Sequence, residues 1–349
     1  MIGQRSNGKS YSICRTIVDD YLNYGKRAAY IRRYEEQIVP KNIQTLFDPH
    51  IDRIIELSAG KYNGVFYRAK CFYMCFYDDE GKIAYKDETP FCITRAVNTW
   101  ETTKGADVGI IHLICFDEFL TREAYLKDEF VMFSNLCSSL IRNRADCVIY
   151  CIANSVNKYA PYWQEFGIDG VDKMRQGEIR VYTYPNSKMK LAIEYCAQSL
   201  TTKEVNDNFF AFQNAQLDMI KSGGWEMASY PKAPYPIYPE DVAYNFYIIF
   251  GEQCIKGQVV HPKDKAHRTD LFIFFYRQTK DIEISNNTIC YTDQPDASLM
   301  HVRYLKDTPT QVHTLIKDLI IKNNMYFADN EVGEIMRNFL LDQGIKNLI

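Results

Sequence analysis

The chain has 349 residues, 46% of them hydrophobic and 24% charged, with a formal net charge of −3. That length supports one large domain or two ordinary ones with sizeable cores. The small negative charge excludes a generally basic protein, so any nucleic-acid contact must use a local patch or a ring of patches.

The chain opens on Gly3-Gln4-Arg5-Ser6-Asn7-Gly8-Lys9-Ser10, which fits G-x-x-x-x-G-K-[ST] without a gap. The glycines let the backbone turn so that its N–H groups face a phosphate chain. In such a loop the lysine, Lys9, reaches the β- and γ-phosphates, and the hydroxyl, Ser10, ligates Mg²⁺. The N-terminus of the following helix adds partial positive charge. Only Met1 and Ile2 precede Gly3, where a P-loop ordinarily follows a buried strand. Residues 9–24 read as that helix, with Ile13, Ile17, Val18 and Leu22 on one face, ended by Gly25-Lys26.

Ala28-Ala29-Tyr30-Ile31 reads as a short strand running into Arg32-Arg33-Tyr34, and 41–57 as a helical connection. Tyr62 to Tyr77 then reads as one long aromatic strand, with a turn at Asp78-Asp79-Glu80-Gly81 and a return from Lys82 to Ile93. This hairpin carries Lys61, Arg68 and Lys70, the first candidates for any such local patch facing a nucleic-acid backbone.

Ile110-Ile111-His112-Leu113-Ile114-Cys115-Phe116-Asp117-Glu118 is an apolar run ending in two acids. It predicts a buried parallel strand with carboxylates at the end where ligands sit in open α/β sheets. Asp117 is the candidate for the Mg²⁺ shell, and Glu118 for orienting or deprotonating the attacking water. A helix over about 128–141 precedes Arg142-Asn143-Arg144. A third strand, Cys147 to Asn154, ends on a polar residue placed to feel the γ-phosphate. Further pieces over 160–200 close this domain as a lid. A helical stretch near Asn206 to Lys221 gives way to Ser222-Gly223-Gly224 and then Pro231, Pro234, Pro236 and Pro239, the best linker signal in the chain. Short strands from Val242 to Tyr291 and helices near Thr310–Asn323 and Asn330–Gln343 form a second domain. The expected boundaries are 1–200, 201–239 and 240–349.

The 11 cysteines are scattered, mostly in apolar runs, with no Cys-x-x-Cys pair, which favours buried free thiols in a reducing compartment over disulfides or zinc. No run approaches the ~18 apolar residues of a membrane span, so no membrane partner is expected.

Together these motifs resemble the DNA-packaging ATPases of small short-tailed phages, the φ29 type, within the additional-strand, catalytic-glutamate class of P-loop NTPases. The likeness is carried by Gly3 to Tyr11, Ile31-Arg32-Arg33-Tyr34, Trp100 with Lys104, and Phe116-Asp117-Glu118-Phe119. It continues in Arg142-Asn143-Arg144 and in Ala153-Asn154-Ser155 with Asn157 and Pro161-Tyr162. The resemblance implies an α/β fold: a P-loop ATPase domain built on a mostly parallel sheet flanked by helices, then a smaller RNase H-like domain. It also implies a homopentameric ring on the portal of an empty capsid, driving double-stranded DNA inward with ATP and Mg²⁺. A packaging RNA is a further candidate partner, and the place of action is the host cytoplasm, transiently on the prohead. The family's arginine finger, supplied by a neighbour, falls on Arg142. Lys104 falls on a basic position near the subunit boundary, and Arg5 is a candidate for gating Glu118. After Arg32, Arg33 and Tyr34 stands Glu35, where the φ29 type has lysine.

Related large terminases carry a two-metal nuclease whose first acid stands on the opening strand of the second domain. Tyr244 to Phe250 has none here, so that domain is expected to bind or dock without cleaving, with Lys263, Lys265, His267 and Arg268 as basic candidates. The alternatives are a large terminase with an active nuclease and a non-enzymatic capsid-binding protein.

Overall fold

The structure is a computed structural model describing residues 1–3, 7–103, 108–121, 125–142, 144–154, 160–185, 187, 189–197, 229–262, 270–279, 282–284, 287–296, 298, 301–307 and 310–345. The chain divides into two units, one containing most of the residues up to Trp225 and the other most of those from Glu226.

In the first unit the elements run β1 (Ile2–Gly3), α1 (Lys9–Tyr24), β2 (Arg27–Arg32), α2 (Pro40–Ile43), α3 (Ile51–Leu57), β3 (Gly64–Arg68), β4 (Cys71–Tyr77), β5 (Ile83–Lys86) and β6 (Cys92–Ala96). They continue through β7 (Ile111–Asp117), α4 (Glu129–Ile141), β8 (Val148–Asn154), β9 (Ile179–Thr183) and β10 (Lys190–Glu194), while the short α5 (Pro161–Glu165), between β8 and β9 in the chain, is counted almost wholly with the second unit. The main sheet has the order β1-β8-β7-β2-β6-β4-β3, with β5 also paired to β4. From β1 to β6 every neighbouring pair is parallel; β4, β3 and β5 add an antiparallel edge. β8 therefore stands between the P-loop strand and the acid-bearing β7, as an additional-strand NTPase requires.

The P-loop strand is two residues long and is stitched on both sides. Ile2 and Gly3 pair with Ala153 and Asn154, Ile2 also bridges Tyr195, and the Cys196 amide donates to the Ile2 carbonyl at 2.8 Å. Gly8 then starts α1 with a left-handed φ of 82°, and Gly25 stops it at 66°. Ile13, Cys14, Ile17 and Val18 of α1 are buried against Tyr30, Leu113, Cys115 and Ile152 of the sheet, in a core that also holds Phe47, Phe72 and Phe91. This burial, rather than helix propensity, is the main source of the helix's stability.

One expectation is corrected here. The run from 62 to 77 is two strands, because the chain reverses at Ala69-Lys70, where both residues take positive φ (51° and 61°). Two-residue hairpin turns of this hand normally use Asn-Gly or Asp-Gly. Here tertiary bonds hold the turn: the Lys70 carbonyl accepts from the Thr94 amide at 2.8 Å and the Thr94 hydroxyl at 3.1 Å, and Lys70 pairs with Glu35. The expected turn at 78–81 is also present, with Asp78 accepting from the amides of Glu80 and Lys82. The connection expected as helix over 41–57 is broken into α2, a 3-10 turn at Asp48–His50, and α3.

The second unit contains β11 (Val242–Phe250), β12 (Gln253–Val260), β13 (Phe272–Arg277), β14 (Cys290–Thr292), β15 (Val302–Arg303), α6 (Gln311–Ile321), β16 (Met325–Phe327) and α7 (Asn330–Asp342). Its sheet order is β15-β14-β11-β12-β13-β16. β11, β12 and β13 form an antiparallel meander, while β14 and β15 continue it in parallel on the far side of β11. This mixed sheet agrees with the RNase H-like expectation. The start of the proline-rich run is packed into this unit: the Pro231 carbonyl accepts from Phe327, and the buried Tyr230 hydroxyl donates to Glu334 at 2.6 Å. Among the described residues no helix is long and apolar enough to cross a membrane.

Candidate functional site

The parallel strands β1, β7 and β8 end together, and the loops leaving them line one open cavity of about 270 Å³. Its walls are Asn7, Gly8, Lys9, Ser10, Tyr11, Asp117, Glu118, Ala153 and Asn154. Residues more than a hundred apart in sequence thus meet at the carboxyl end of a parallel sheet, where such folds bind ligands.

Lys9 is buried at 7% exposure, and its ammonium donates to the Gly3 carbonyl at 3.1 Å, Asn7 Oδ1 at 2.8 Å and Asn154 Oδ1 at 3.4 Å. All three acceptors are neutral. Burial pushes the amine down to about 8, and the negative charge of Asp117 opposes that shift in part. A lysine held this way gains from a polyanion beside it. Gly3 is needed for a close approach, because a Cβ there would lie 2.7 Å from Asn7 Nδ2 and 3.3 Å from Cys196. Asn7 Nδ2 is itself a buried donor with no partner among the described residues. Tyr11 is exposed, its ring 4.3 Å from that of His50.

Ser10 Oγ lies 3.5 Å from Asp117 Oδ1. Asp117 is nearly buried and also accepts from the Tyr30 hydroxyl and from Arg32 Nη1 at 2.7 Å. Burial pushes the Tyr30 hydroxyl well up, so it stays protonated as a donor. Arg32 Nη2 reaches on to Glu118 Oε2 at 2.7 Å, so one guanidinium spans both acids. Burial works against Arg32's charge, yet the two carboxylates outweigh it and hold its pKa above the ordinary value. Glu118 is half-exposed and adopts a left-handed φ of 58°, which turns the chain sharply out of β7.

Arg33, next along, is buried and holds that turn from below. It donates to the Glu118 and Phe119 carbonyls at 3.0 and 2.7 Å and forks onto Glu129 at 2.8 and 3.1 Å. Glu129 opens α4, which ends at Arg142 in a left-handed C-cap (φ 49°) with its side chain exposed. Arg144 is occupied locally, donating to the carbonyls of Ile111 and Ile141 and to Asp146.

The structure thus brings together Gly3, Asn7, Gly8, Lys9, Ser10, Tyr11, Asp117, Glu118 and Asn154. Gln4, Arg5, Ser6 and Lys104 lie outside the described residues, as do Lys263, Lys265, His267 and Arg268. Lys61 is exposed over the rings of Tyr62 and Tyr85, Arg68 is exposed, and Lys70 spends its charge on Glu35. The Arg32 clamp and the Tyr30 donor were not assigned from sequence. The available signal was two arginines leaving a central parallel strand at its ligand end.

Residues 1–182 match the family described as Podovirus DNA encapsidation protein (Gp16). The DNA packaging protein of Bacillus phage B103 is 25% identical over 171 residues, 48% of this chain and 47% of that protein. That of Bacillus phage phi29 is 24% identical over 171 residues, 48% of this chain and 46% of its own. In these alignments the chain spans about half the length of the curated relatives it matches. In fold, it superposes on a chain of the bacteriophage Phi-29 viral genome packaging motor assembly with a TM-score of 0.53 and 16% identity, covering 98% of this chain and 94% of that one. With a matching region that takes in more than half its length and all of the cavity, the chain belongs to the Podovirus DNA encapsidation protein family.

Proposed function

We propose that this chain is the ATP-hydrolysing subunit of a ring motor that drives viral double-stranded DNA into a preformed capsid through its portal. The observation that carries the reading is the convergence of Lys9, Ser10, Asp117, Glu118 and Asn154 on one cavity at the strand ends. ATP fits that cavity with its phosphates over the loop at Gly8–Ser10 and the N-terminus of α1. Ser10 and Asp117 suit Mg²⁺, which binds through few protein oxygens and takes the rest of its shell from water and phosphate. When bound, the ion would neutralise charge building on the β- and γ-phosphate oxygens.

The chain's own groups then divide the work. Lys9 neutralises the phosphates, and its link to Asn154 ties β8 to the γ-phosphate position. Glu118 aligns water for in-line attack once it swings free of Arg32, which in this structure holds it. Arg142, exposed at the end of α4, is the candidate finger reaching a neighbour's ATP, with Lys104 and Arg5 as further basic candidates at the boundary and in the loop. A ring of like subunits, pentameric in the φ29 type, supplies that neighbour. The portal of the prohead and a packaging RNA are the remaining partners, and the host cytoplasm is the place of action.

The test is Mg²⁺-dependent ATP hydrolysis against protein concentration, with and without DNA, for wild type and Glu118→Gln. Turnover that climbs with concentration or DNA and vanishes in the variant supports a shared site. Turnover independent of assembly points to a self-contained NTPase, and none under any condition overturns the reading.

A further inference from the structure

The helices α1, α2 and α3 cover one face of the main sheet, where Tyr30, Phe72, Met74, Cys92 and Leu113 are buried. The strand registers put a different set on the other face. Arg68 stands opposite Cys71, Phe66 opposite Tyr73, Lys86 opposite Cys75, and Arg95 opposite Ile31, with Arg27 at the start of β2. Side chains alternate along a strand, so Phe66, Arg68, Tyr73, Lys86, Arg95 and Arg27 share this second face. Phe66 and Tyr73 are only partly covered there, while Arg68 and Lys86 are exposed.

The cations gather around the aromatics. Lys86 Nζ sits 4.3 Å from the centre of the Tyr73 ring. The charges of Arg27 and Arg68 both act on the Tyr73 hydroxyl, and those of Arg95 and Arg27 on the Cys71 thiol. Among the described residues Arg27 donates to the Pro90 carbonyl, at 2.7 Å, and Arg95 to the Thr94 carbonyl, at 2.8 Å. None of the four cations makes an ion pair with a carboxylate among the described residues. For Arg95, burial pushes the guanidinium below its ordinary value, the mark of a desolvated cation without a counter-charge.

The hairpin lysines differ. Lys70 is neutralised by Glu35, and Lys61 lies over the rings of Tyr62 and Tyr85, Tyr62 being part of the core on the helix-covered face. In a chain of net charge −3, four unneutralised cations on one sheet face make a local positive field. Its complement is a regularly spaced polyanion. Cations contact phosphates without reading sequence, and interleaved aromatics pack against sugar and backbone.

We propose that Arg27, Arg68, Lys86 and Arg95, arranged around Phe66 and Tyr73, form a sequence-independent contact surface for the phosphodiester backbone of duplex DNA. This rests on the packaging-motor reading for its choice of DNA and adds the surface to it.

The test is fluorescence anisotropy of a short duplex DNA of arbitrary sequence titrated with the full chain between about 50 and 200 mM salt. The variants are Arg68→Gln/Lys86→Gln, both exposed so that folding is spared, and Lys61→Gln/Lys70→Gln as the control pair. Each lost phosphate contact removes about 0.9 from the slope of log affinity against log salt, so the first pair should flatten it by about 1.8. The control pair should leave it unchanged. Arg95→Gln should lower affinity while binding of a fluorescent ATP analogue stays at the wild-type level. An unchanged slope in Arg68→Gln/Lys86→Gln, wild-type protein that does not bind duplex DNA, or a loss confined to duplex RNA would each overturn the proposal. Steady ATP hydrolysis alongside such a result would leave the ATPase reading standing, while absent hydrolysis with intact DNA binding would do the reverse.

Discussion

Lys9 provides the sharpest test of the nucleotide site. Burial pushes its amine down to about 8 from an ordinary 10.5. The ammonium donates to the Gly3 carbonyl, Asn7 and Asn154, all neutral, and the negative charge of Asp117 opposes the downward shift in part. If only the charged form binds phosphate, affinity scales with the fraction protonated. With a pKa of about 8, that fraction falls roughly tenfold between about pH 7 and pH 9. Affinity for an ATP analogue at fixed free Mg²⁺ should fall by about the same factor, read by fluorescence titration. Lys9→Arg keeps a permanent charge, so its profile should stay flat apart from the titration of the ligand itself. The stability effect has the opposite sign. The folded-state pKa lies below the unfolded one, so the unfolded chain binds the extra proton between about pH 8 and 10.5 and stability rises across that window. Parallel binding profiles for wild type and Lys9→Arg would refute the assignment of Lys9 as a desolvated phosphate-binding ammonium.

Three further outcomes follow from the same geometry. Glu129→Gln leaves the buried Arg33 fork uncompensated and should destabilise the first unit by about 3–5 kcal/mol in urea unfolding. Arg33→Met/Glu129→Leu should recover most of that loss while still lowering turnover, because the Glu118 and Phe119 carbonyls lose their donor. Arg142→Ala should cut turnover of the assembled motor by about 10³–10⁵ while leaving nucleotide affinity unchanged; equal loss of both would make Arg142 structural. In the second unit, Gly257→Ala would place a Cβ 2.3 Å from the buried Phe246 ring. It should cost about 1–3 kcal/mol by thermal or urea unfolding, and Phe246→Leu in the same chain should relieve it.

The nucleotide loop was legible because its chemistry is consecutive. Gly8, Lys9 and Ser10 must be neighbours to turn the chain, place a cation and offer a hydroxyl, and no distant residue is needed to recognise them. The strand into Asp117 and Glu118 was legible because burial on both faces writes a continuous apolar run. α1, α4, α6 and α7 were readable in the same way, from periodicity and their stops.

What sequence alone left open was decided by pairing at long range. Ala69-Lys70 carries no glycine or asparagine, so nothing local marks a turn; Thr94 and Glu35 impose it from elsewhere in the chain. The short P-loop strand is held from both sides by β8 and the Tyr195–Cys196 segment, distant in sequence. Arg32 and Arg33 are adjacent in sequence, yet they face opposite sides of the turn at Glu118, one gripping carboxylates and the other carbonyls. Residue type and local spacing determined which groups carry charge and can turn the chain. Strand order and register decided which of those charges meet an acid and which share a sheet face without one. A charge is visible in one residue, whereas its compensation is a distance between two.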